Sequence, residues 1–270
     1  MFWSVNSSLT GLRGFQQSMD QTSDNIANTN TTGHKKSEIS FNDLLYRELS
    51  ERRMSESQAL EAEPPQTGKG TRVSATNTNF AQGGMEQTNR PLDLAVEGEG
   101  LFRVIREDGT EAYTRDGTFF MDAEGDLVNA GGDYLDVPFD LSEYMVDTEE
   151  GGSLEQLTVD ERGNVYWQDE DEADPEELGQ IELHRFVNPE GLEQDGNNQF
   201  LETEVSGAPI TGTPGEDGFG QLRQGFIERS NVDLAEEMTN LIKDQRALQS
   251  NARAMTTSDE LWSMTLQAKA

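Results

Sequence analysis

The sequence predicts an α+β protein, with paired N- and C-terminal coiled-coil-like helices and a central antiparallel β-rich domain, joined by extended linkers. Three observations predict it. A near-neutral, heptad-striped segment opens the chain, a second striped segment closes it, and short alternating apolar runs punctuated by Asp/Gly turns lie between them.

Residues 1–30 carry only Arg13, Asp20 and Asp24 as charges, in a chain with 20 Lys+Arg against 52 Asp+Glu and a formal net charge of −32. Val5, Leu12, Met19 and Ile26 recur every seven residues, with Phe2 and Leu9 in an adjacent row and Phe15 beside them. This is the stripe of a helix that buries one face. Its other positions are Ser, Thr, Asn and Gln. A solvated helix in so acidic a chain should share the acidity, whereas one covered by other protein need not.

The C-terminal segment mirrors the first. Leu234, Leu241, Leu248, Met255 and Trp262 form one heptad row, with Met238, Ala252 and Leu266 in a companion row that Gln245 and Asp259 interrupt. Asp233 followed by Glu236 is a capping pattern that places the helix start near Asp233, while Asp259 and Glu260 suggest a break and restart near Ser258. Two core helices of an ordinary domain would show similar stripes. Their placement at the two extremes instead suggests ends that come together and are completed by neighbouring copies, since short isolated helices are marginal in water.

Gly33 is read as a helix stop. Ser40 to about Met54, with Phe41, Leu44, Leu45 and Leu49 on one side, reads as a short amphipathic helix or an extended arm, and residues 55–72 as linker. From Val73 to about Glu204 the pattern is of strands: Leu92, Leu94 and Val96 alternate with polar residues, as do Phe102 and Val104. Asp108-Gly109 marks a hairpin, and Asp122-x-x-Gly125 and Asp160-x-x-Gly163 share one turn form in which Gly takes the positive φ. Residues 205–220 return to a Gly/Pro loop. The domain plan is therefore 1–30 with 231–270 as a helical assembly domain, 31–72 with 205–230 as linkers, and 73–204 as a β-rich outer domain.

The acidity argues against nucleic acid and against anionic membrane surfaces, both of which require basic contacts. It suits solubility in concentrated salt, so a saline habitat is one reading and family drift the other. With no cysteine, disulfides and thiolate chemistry are excluded. The N-terminus lacks a basic, then apolar, leader, so no cleaved signal peptide and no direct membrane insertion are expected. His34 and His184 are the two histidines, and His184, in an alternating run, reads as an exposed strand residue. No zinc, P-loop, dinucleotide or nucleophile-elbow pattern is present, and no cofactor is expected. A two-carboxylate cell-wall glycan hydrolase is the alternative class, although among 52 acids any two will look paired. Asp169-Glu170-Asp171-Glu172 lacks the spaced ligands of a calcium loop and reads as solvated.

The run Asp24-Asn25-Ile26-Ala27-Asn28-Thr29-Asn30-Thr31-Thr32-Gly33-His34-Lys35 resembles the Asn-Asn-Ile-Ala-Asn…Thr-x-Gly-aromatic-Lys signature of bacterial flagellar rod and hook proteins. Gly225 to Asp233, continuing through Glu237-Met238 and Ile242 to Ala247, resembles that family's C-terminal signature. Arg90 to Phe102 and Tyr113 to Gly117 resemble its central motifs, with departures at Asp24, His34 and Leu248. The resemblance implies a non-enzymatic subunit of a helical homopolymer, a hollow torque-transmitting cylinder with paired terminal helices inside and the β domain outside. It implies export by the flagellar type III apparatus, a place in the basal body, and other rod proteins, hook protein and surrounding ring proteins as partners. Length and the stretch from about Tyr46 to Arg72 point to the distal rod, with proximal rod or hook as alternatives. Stripes and signatures together mark the candidate assembly residues: Val5, Leu9, Leu12, Met19, Asn25, Ile26 and Asn28 at one end, and Ser230, Asn231, Val232, Leu234, Met238, Leu241, Ile242, Leu248 and Met255 at the other.

Overall fold

A computed structural model of the chain describes residues 2–44, 47–48, 66–67, 70–139, 141, 156–168 and 175–268. It is α+β: two long helices and many short, largely antiparallel strands. The chain divides into two compact units, one of Met1–Ala27, Ser37–Asn77 and Asp233–Ala270, the other of Asn28–Lys36 and Thr78–Val232.

The first unit holds helix α1 (Phe2–Ala27) and four strands, β1 (Ser37–Asp43), β2 (Arg47–Glu48), β3 (Gln66–Thr67) and β4 (Thr71–Thr78). Of the two readings of the 40–54 stretch, residues 40–43 and 47–48 take the extended one, and in the stretch 55–72 expected as linker residues 66–67 and 71–72 lie in strands; 45–46, 49–65, 68–69 and the 169–172 acidic run lie outside the described residues. β1 pairs with β4 and β2 with β3. One register runs through both, from the Ser74 hydroxyl on the Ser40 carbonyl (3.0 Å), through Leu44 N–H on the Gly70 carbonyl (2.9 Å), to Arg47 opposite Thr67. Such a two-stranded ribbon is marginal alone. It gains support from α1, where the Phe41 ring lies 5.8 Å from that of Phe15 and over Gly14, at which a Cβ would stand 2.9 Å from Phe41.

The second unit holds β5 (Met85–Gln87), β6 (Leu94–Glu97), β7 (Phe102–Ile105), β8 (Glu111–Thr114), β9 (Phe120–Met121), β10 (Leu127–Val128), β11 (Tyr134–Leu135) and β12 (Leu157–Val159). It continues with β13 (Asn164–Trp167), β14 (Glu176–Gln180), β15 (Leu183–Arg185), β16 (Glu193–Gln194), β17 (Gln199–Leu201), β18 (Ile210–Gly212), β19 (Gln221–Gln224) and β20 (Phe226–Glu228). A seven-stranded antiparallel sheet runs β16-β17-β8-β7-β11-β10-β9, beside a three-stranded β12-β13-β14 sheet and the pairs β15-β18, β19-β6 and β20-β5. Residues 205–230, expected as linker, thus contain three strands, because β18, β19 and β20 find partners in distant parts of the chain.

The Asp turns form as expected: the Asp122 carboxylate accepts from Glu124 and Asp126 N–H (3.0 and 2.9 Å), and that of Asp160 from Arg162 and Asn164 N–H (2.8 and 2.9 Å). Asn129, which no motif singled out, closes the same turn on Gly131 and Asp133 N–H. Leu94, Val96, Phe102, Val104, Phe119, Ile181, Leu183 and Leu222 pack as one core. Each such burial contributes about 1.5–3 kcal/mol.

The first unit closes with helix α2 (Leu234–Gln267), capped as expected by Asp233, whose carboxylate accepts from Ala235 and Glu236 N–H at 2.8 and 3.2 Å. The anticipated break near Ser258 does not occur, and the helix is continuous to Gln267. The hydroxyls available there to cap a new helix bond backwards instead: Thr257 to the carbonyls of Arg253 and Ala254, and Ser258 to that of Ala254. Among the described residues no helix is long and apolar enough to cross a membrane.

Candidate functional site

The two helices run antiparallel, and their contacts step together. A Cβ at Gly11 would lie 3.1 Å from the Asn251 amide, Ser18 donates to Asp244 at 2.8 Å, and the Asn25 amide donates to Glu237 at 3.4 Å. Seven residues up α1 are matched each time by seven down α2. The face of α1 that meets α2 is therefore Gly11, Ser18 and Asn25, one position before the apolar row of Leu12, Met19 and Ile26. At Gly11 the facing Asn251 already stands where a Cβ would be tight, while Ser18 and Asn25 hold the face by hydrogen bonds.

The consequence shows in burial. Among the described residues every buried hydrophobic side chain lies in the second unit, while the first unit buries Thr22, Asn25, Ser37 and Glu237. Leu9, Leu12, Met19 and Ile26 on α1 and Leu241, Leu248 and Met255 on α2 are half-buried. Leu234, Met238 and Ile242 stand 42%, 50% and 52% exposed at four-residue steps, on one side of α2. Val5 also lies on α1.

The signature asparagines bind their own chain. Asn25 accepts from Ser37 N–H (3.1 Å) and donates to the Ser37 carbonyl (2.9 Å), which ties the start of β1 to α1. Asn231 accepts from Lys36 N–H at 2.7 Å and donates to the carbonyls of Asn79 and Ala81, both at 2.9 Å. Ser230 accepts from Val232 N–H, Val232 is buried, and Asn28 closes a turn on Thr31.

The second unit also contains a buried ion cluster that no sequence pattern announces. Glu228 receives Lys35 Nζ at 2.6 Å and Arg115 Nε at 2.5 Å, and also accepts from Gly83 N–H at 2.7 Å. Arg115 also donates to the carbonyls of Gly100, Val96 and Gly98, and Lys35 to that of Ala81. Burial pushes the Glu228 carboxyl up, but Arg115 and Lys35 outweigh it and hold it below the ordinary carboxylate range. Burial in turn draws the Lys35 ammonium below the usual lysine value, against the pull of Glu228.

His184, expected as exposed, is 2% exposed. Its Nδ1 lies 3.1 Å from the Thr211 hydroxyl and its ring 5.6 Å from that of Tyr113. Burial first, and then Arg103, lower its pKa to about 4, so it is neutral at pH 7. His34, read as a linker residue, is 3% exposed and faces Asn198 at 3.4 Å. A cavity of about 610 Å³ borders Lys35, Phe80, Gln82, Arg115, His184 and Phe186. Of the titratable groups that line it, Lys35 and Arg115 are bonded to Glu228 and backbone carbonyls and His184 faces Thr211, while Arg185 pairs with Glu99 at 3.5 Å and Glu190 lies at the rim. No cluster of three His, Asp or Glu suited to a metal is found among the described residues.

Fold and surface together give a protein with a partly uncovered helical face and a buried ion cluster. The profile "Flagellar basal body rod FlgEFG protein C-terminal" matches residues 223–268, and "Flagellar hook protein FlgE/F/G D1 domain" matches residues 95–167. The chain is 40% identical over 255 residues to the flagellar basal-body rod protein FlgG of Borreliella burgdorferi, covering 93% of each chain. It is 34% identical to FlgG of Bacillus subtilis over 97% of each, and 27% identical to the flagellar hook-basal body complex protein FlhP of that organism, again over 97% of each. The chain belongs to the flagellar basal-body rod protein family.

Proposed function

We propose that the chain is a distal rod subunit that polymerises, without catalysis or cofactor, into a hollow cylinder that carries torque through the basal body. One observation carries the polymer: the helical unit has no buried hydrophobic side chain of its own among the described residues, while Leu234, Met238 and Ile242 stand exposed on it. A chain of net charge −32 keeps such residues at its surface at a cost in solubility unless something covers them. Identical copies are the fitting cover, because α1 has only Arg13, Asp20 and Asp24 as charges and so presents little repulsion.

In this reading the helical pair forms the inner assembly layer through Val5, Leu9, Leu12, Met19, Ile26, Leu234, Met238, Leu241, Ile242, Leu248 and Met255. The signature residues Asn25, Asn28, Ser230, Asn231 and Val232 hold each copy in its assembling shape. Membership of the family supports export through the type III apparatus and contacts with other rod proteins, hook protein and ring proteins. Sedimentation and electron microscopy of the purified chain test the reading. The parent should form tubes and Met238→Asp/Ile242→Asp should stay monomeric with an unchanged β-unit melting transition. Tubes of equal yield from both proteins would refute it. Antibody to the β unit, imaged on isolated basal bodies, separates rod from hook.

A further inference from the structure

We propose that the polar seam between α1 and α2 is a register lock, which selects one of several heptad-related alignments of the helices. The identity of the covering partner, a second copy of this chain, rests on the rod reading above; the lock itself does not.

The three layers of the seam differ from one another: Gly11 with Asn251, Ser18 with Asp244, and Asn25 with Glu237. In a seam of equivalent apolar layers, a slip of one heptad, about 10 Å along the axis, would exchange each layer for a similar one at little cost. Here both slips are penalised. Moving α2 one way brings Glu237 to Ser18 but sets Asp244 against Gly11, which has no side-chain donor to offer. Moving it the other way brings Asp244 to Asn25 but carries Glu237 past Ala27, the last residue of α1, so each slip strands one of the two carboxylates. A carboxylate removed from its donor in a half-buried seam loses its hydrogen bond without regaining full hydration. Polar seam positions are known to fix alignment at some expense of stability, which accords with the seam of this unit burying Asn25 and Glu237 rather than leucines.

Register matters because the residues left uncovered belong to both helices. Leu12, Met19 and Ile26 of α1 and Leu234, Met238 and Ile242 of α2 make one composite surface only in one alignment. Identical copies can pack in a regular array only if that surface is the same on each.

The chain has no cysteine, so disulfide trapping is free of background. In the full-length protein, Gly11→Cys/Asn251→Cys reports the native register and Gly11→Cys/Ser258→Cys a one-heptad slip. Each is built in the parent and in a Ser18→Leu/Asp244→Leu/Glu237→Leu background. In the parent the native link should form within single chains and the slipped link should be scarce. In the leucine background the native-over-slipped ratio should fall roughly tenfold or more while the helices melt no earlier. A purely stabilising pair would not produce that combination. Exchanging the partners, as Ser18→Asp/Asp244→Ser, should restore the parent ratio. Should the leucine variant be insoluble, Ser18→Ala/Asp244→Ala reads the same ratio without added bulk. An unchanged ratio in the apolar backgrounds, or no native link in the parent, overturns the lock. Parent protein that links in register yet never polymerises supports the lock and removes the rod reading instead.

Discussion

Lys35 and Glu228 lie 193 positions apart in the chain, yet their charged atoms meet at 2.6 Å with side chains only 1% and 0% exposed. Arg115 completes the cluster from a third segment. Stretches that resemble separate family motifs, around Gly33-His34-Lys35, Tyr113 to Gly117 and Gly225 to Asp233, are thus parts of one buried site. The conjunction explains why a lysine, an arginine and a glutamate sit where hydrophobic residues would be expected.

Removing one member should be far more harmful than removing a surface pair. Lys35→Met leaves Glu228 with one cation, and Glu228→Gln leaves two buried cations without an anion. Each should cost about 3–5 kcal/mol of β-unit stability in urea unfolding. Arg223→Ala, which breaks exposed contacts to Glu97 and Glu161, should cost under about 1 kcal/mol. The Glu228 carboxyl is held below its ordinary value of 4.5 in the folded state. Its stabilising contribution is therefore complete above that value and is lost as pH falls through the lower native one. Equal sensitivity of the Arg223 and Lys35 variants would show that burial is not what matters.

A second pH effect has its own window. His184 binds its proton at about 4 in the folded protein against 6.5 ordinarily. Between those values the unfolded chain takes up a proton that the folded chain refuses, so stability falls as pH drops from 6.5 to 4 and is flat above. The loss should reach about 3 kcal/mol at most. His184→Gln should flatten that part of the stability–pH curve. A curve of unchanged slope in the variant would assign the effect to other groups.

These sites also show what is legible in the sequence. The α2 start at Asp233 and the turns at Asp122 and Asp160 can be read because each is closed by atoms within four residues. The apolar rows are visible there, but not the face by which the helices meet, since Gly11, Ser18 and Asn25 have no hydropathic signal. Close approach selects Gly11 and hydrogen bonds select Ser18 and Asn25, and both depend on the opposing helix. His184 is misread for the same reason: alternation identifies a strand, while its burial depends on Thr211 and Tyr113 packing over it. The strands within 205–230 are hidden by Gly and Pro around them, and their pairing partners lie far away in the chain.

Gly117 should prove irreplaceable. A Cβ there would stand 1.5 Å from the Leu94 carbonyl oxygen, at the point where Leu94 N–H donates to the Gly117 carbonyl at 2.9 Å. Relief requires moving β6 away from its core contacts. Gly117→Ala should therefore cost about 3 kcal/mol or more. Gly109, a hairpin glycine at φ +82° with nothing within 4 Å of an added methyl, should cost only about 1–2 kcal/mol as alanine. Thermal melts of the two variants give the comparison directly, and similar losses would mean that backbone conformation, not close approach, governs both positions.

Assembly should complete the order of the helices. The pair in one chain is joined by a polar seam and leaves Leu234, Met238, Ile242 and Trp262 at 42–52% exposure. Helices with so little apolar burial are weakly held in water. Covering several Leu and Met side chains in the polymer adds about 1.5–3 kcal/mol for each one fully buried. Circular dichroism should accordingly show lower helicity in dilute monomer, where the paired helices fray, and full helicity in the polymer, with the β-sheet signal unchanged. Trp262 offers a local reading of the same event, since its indole should move from water into protein and its emission shift to shorter wavelength on polymerisation. Trp167, 5% exposed in the β unit, should not respond. Equal helicity in monomer and polymer, with Trp262 emission unmoved, would mean that the helices are self-sufficient and that the polymer is held elsewhere.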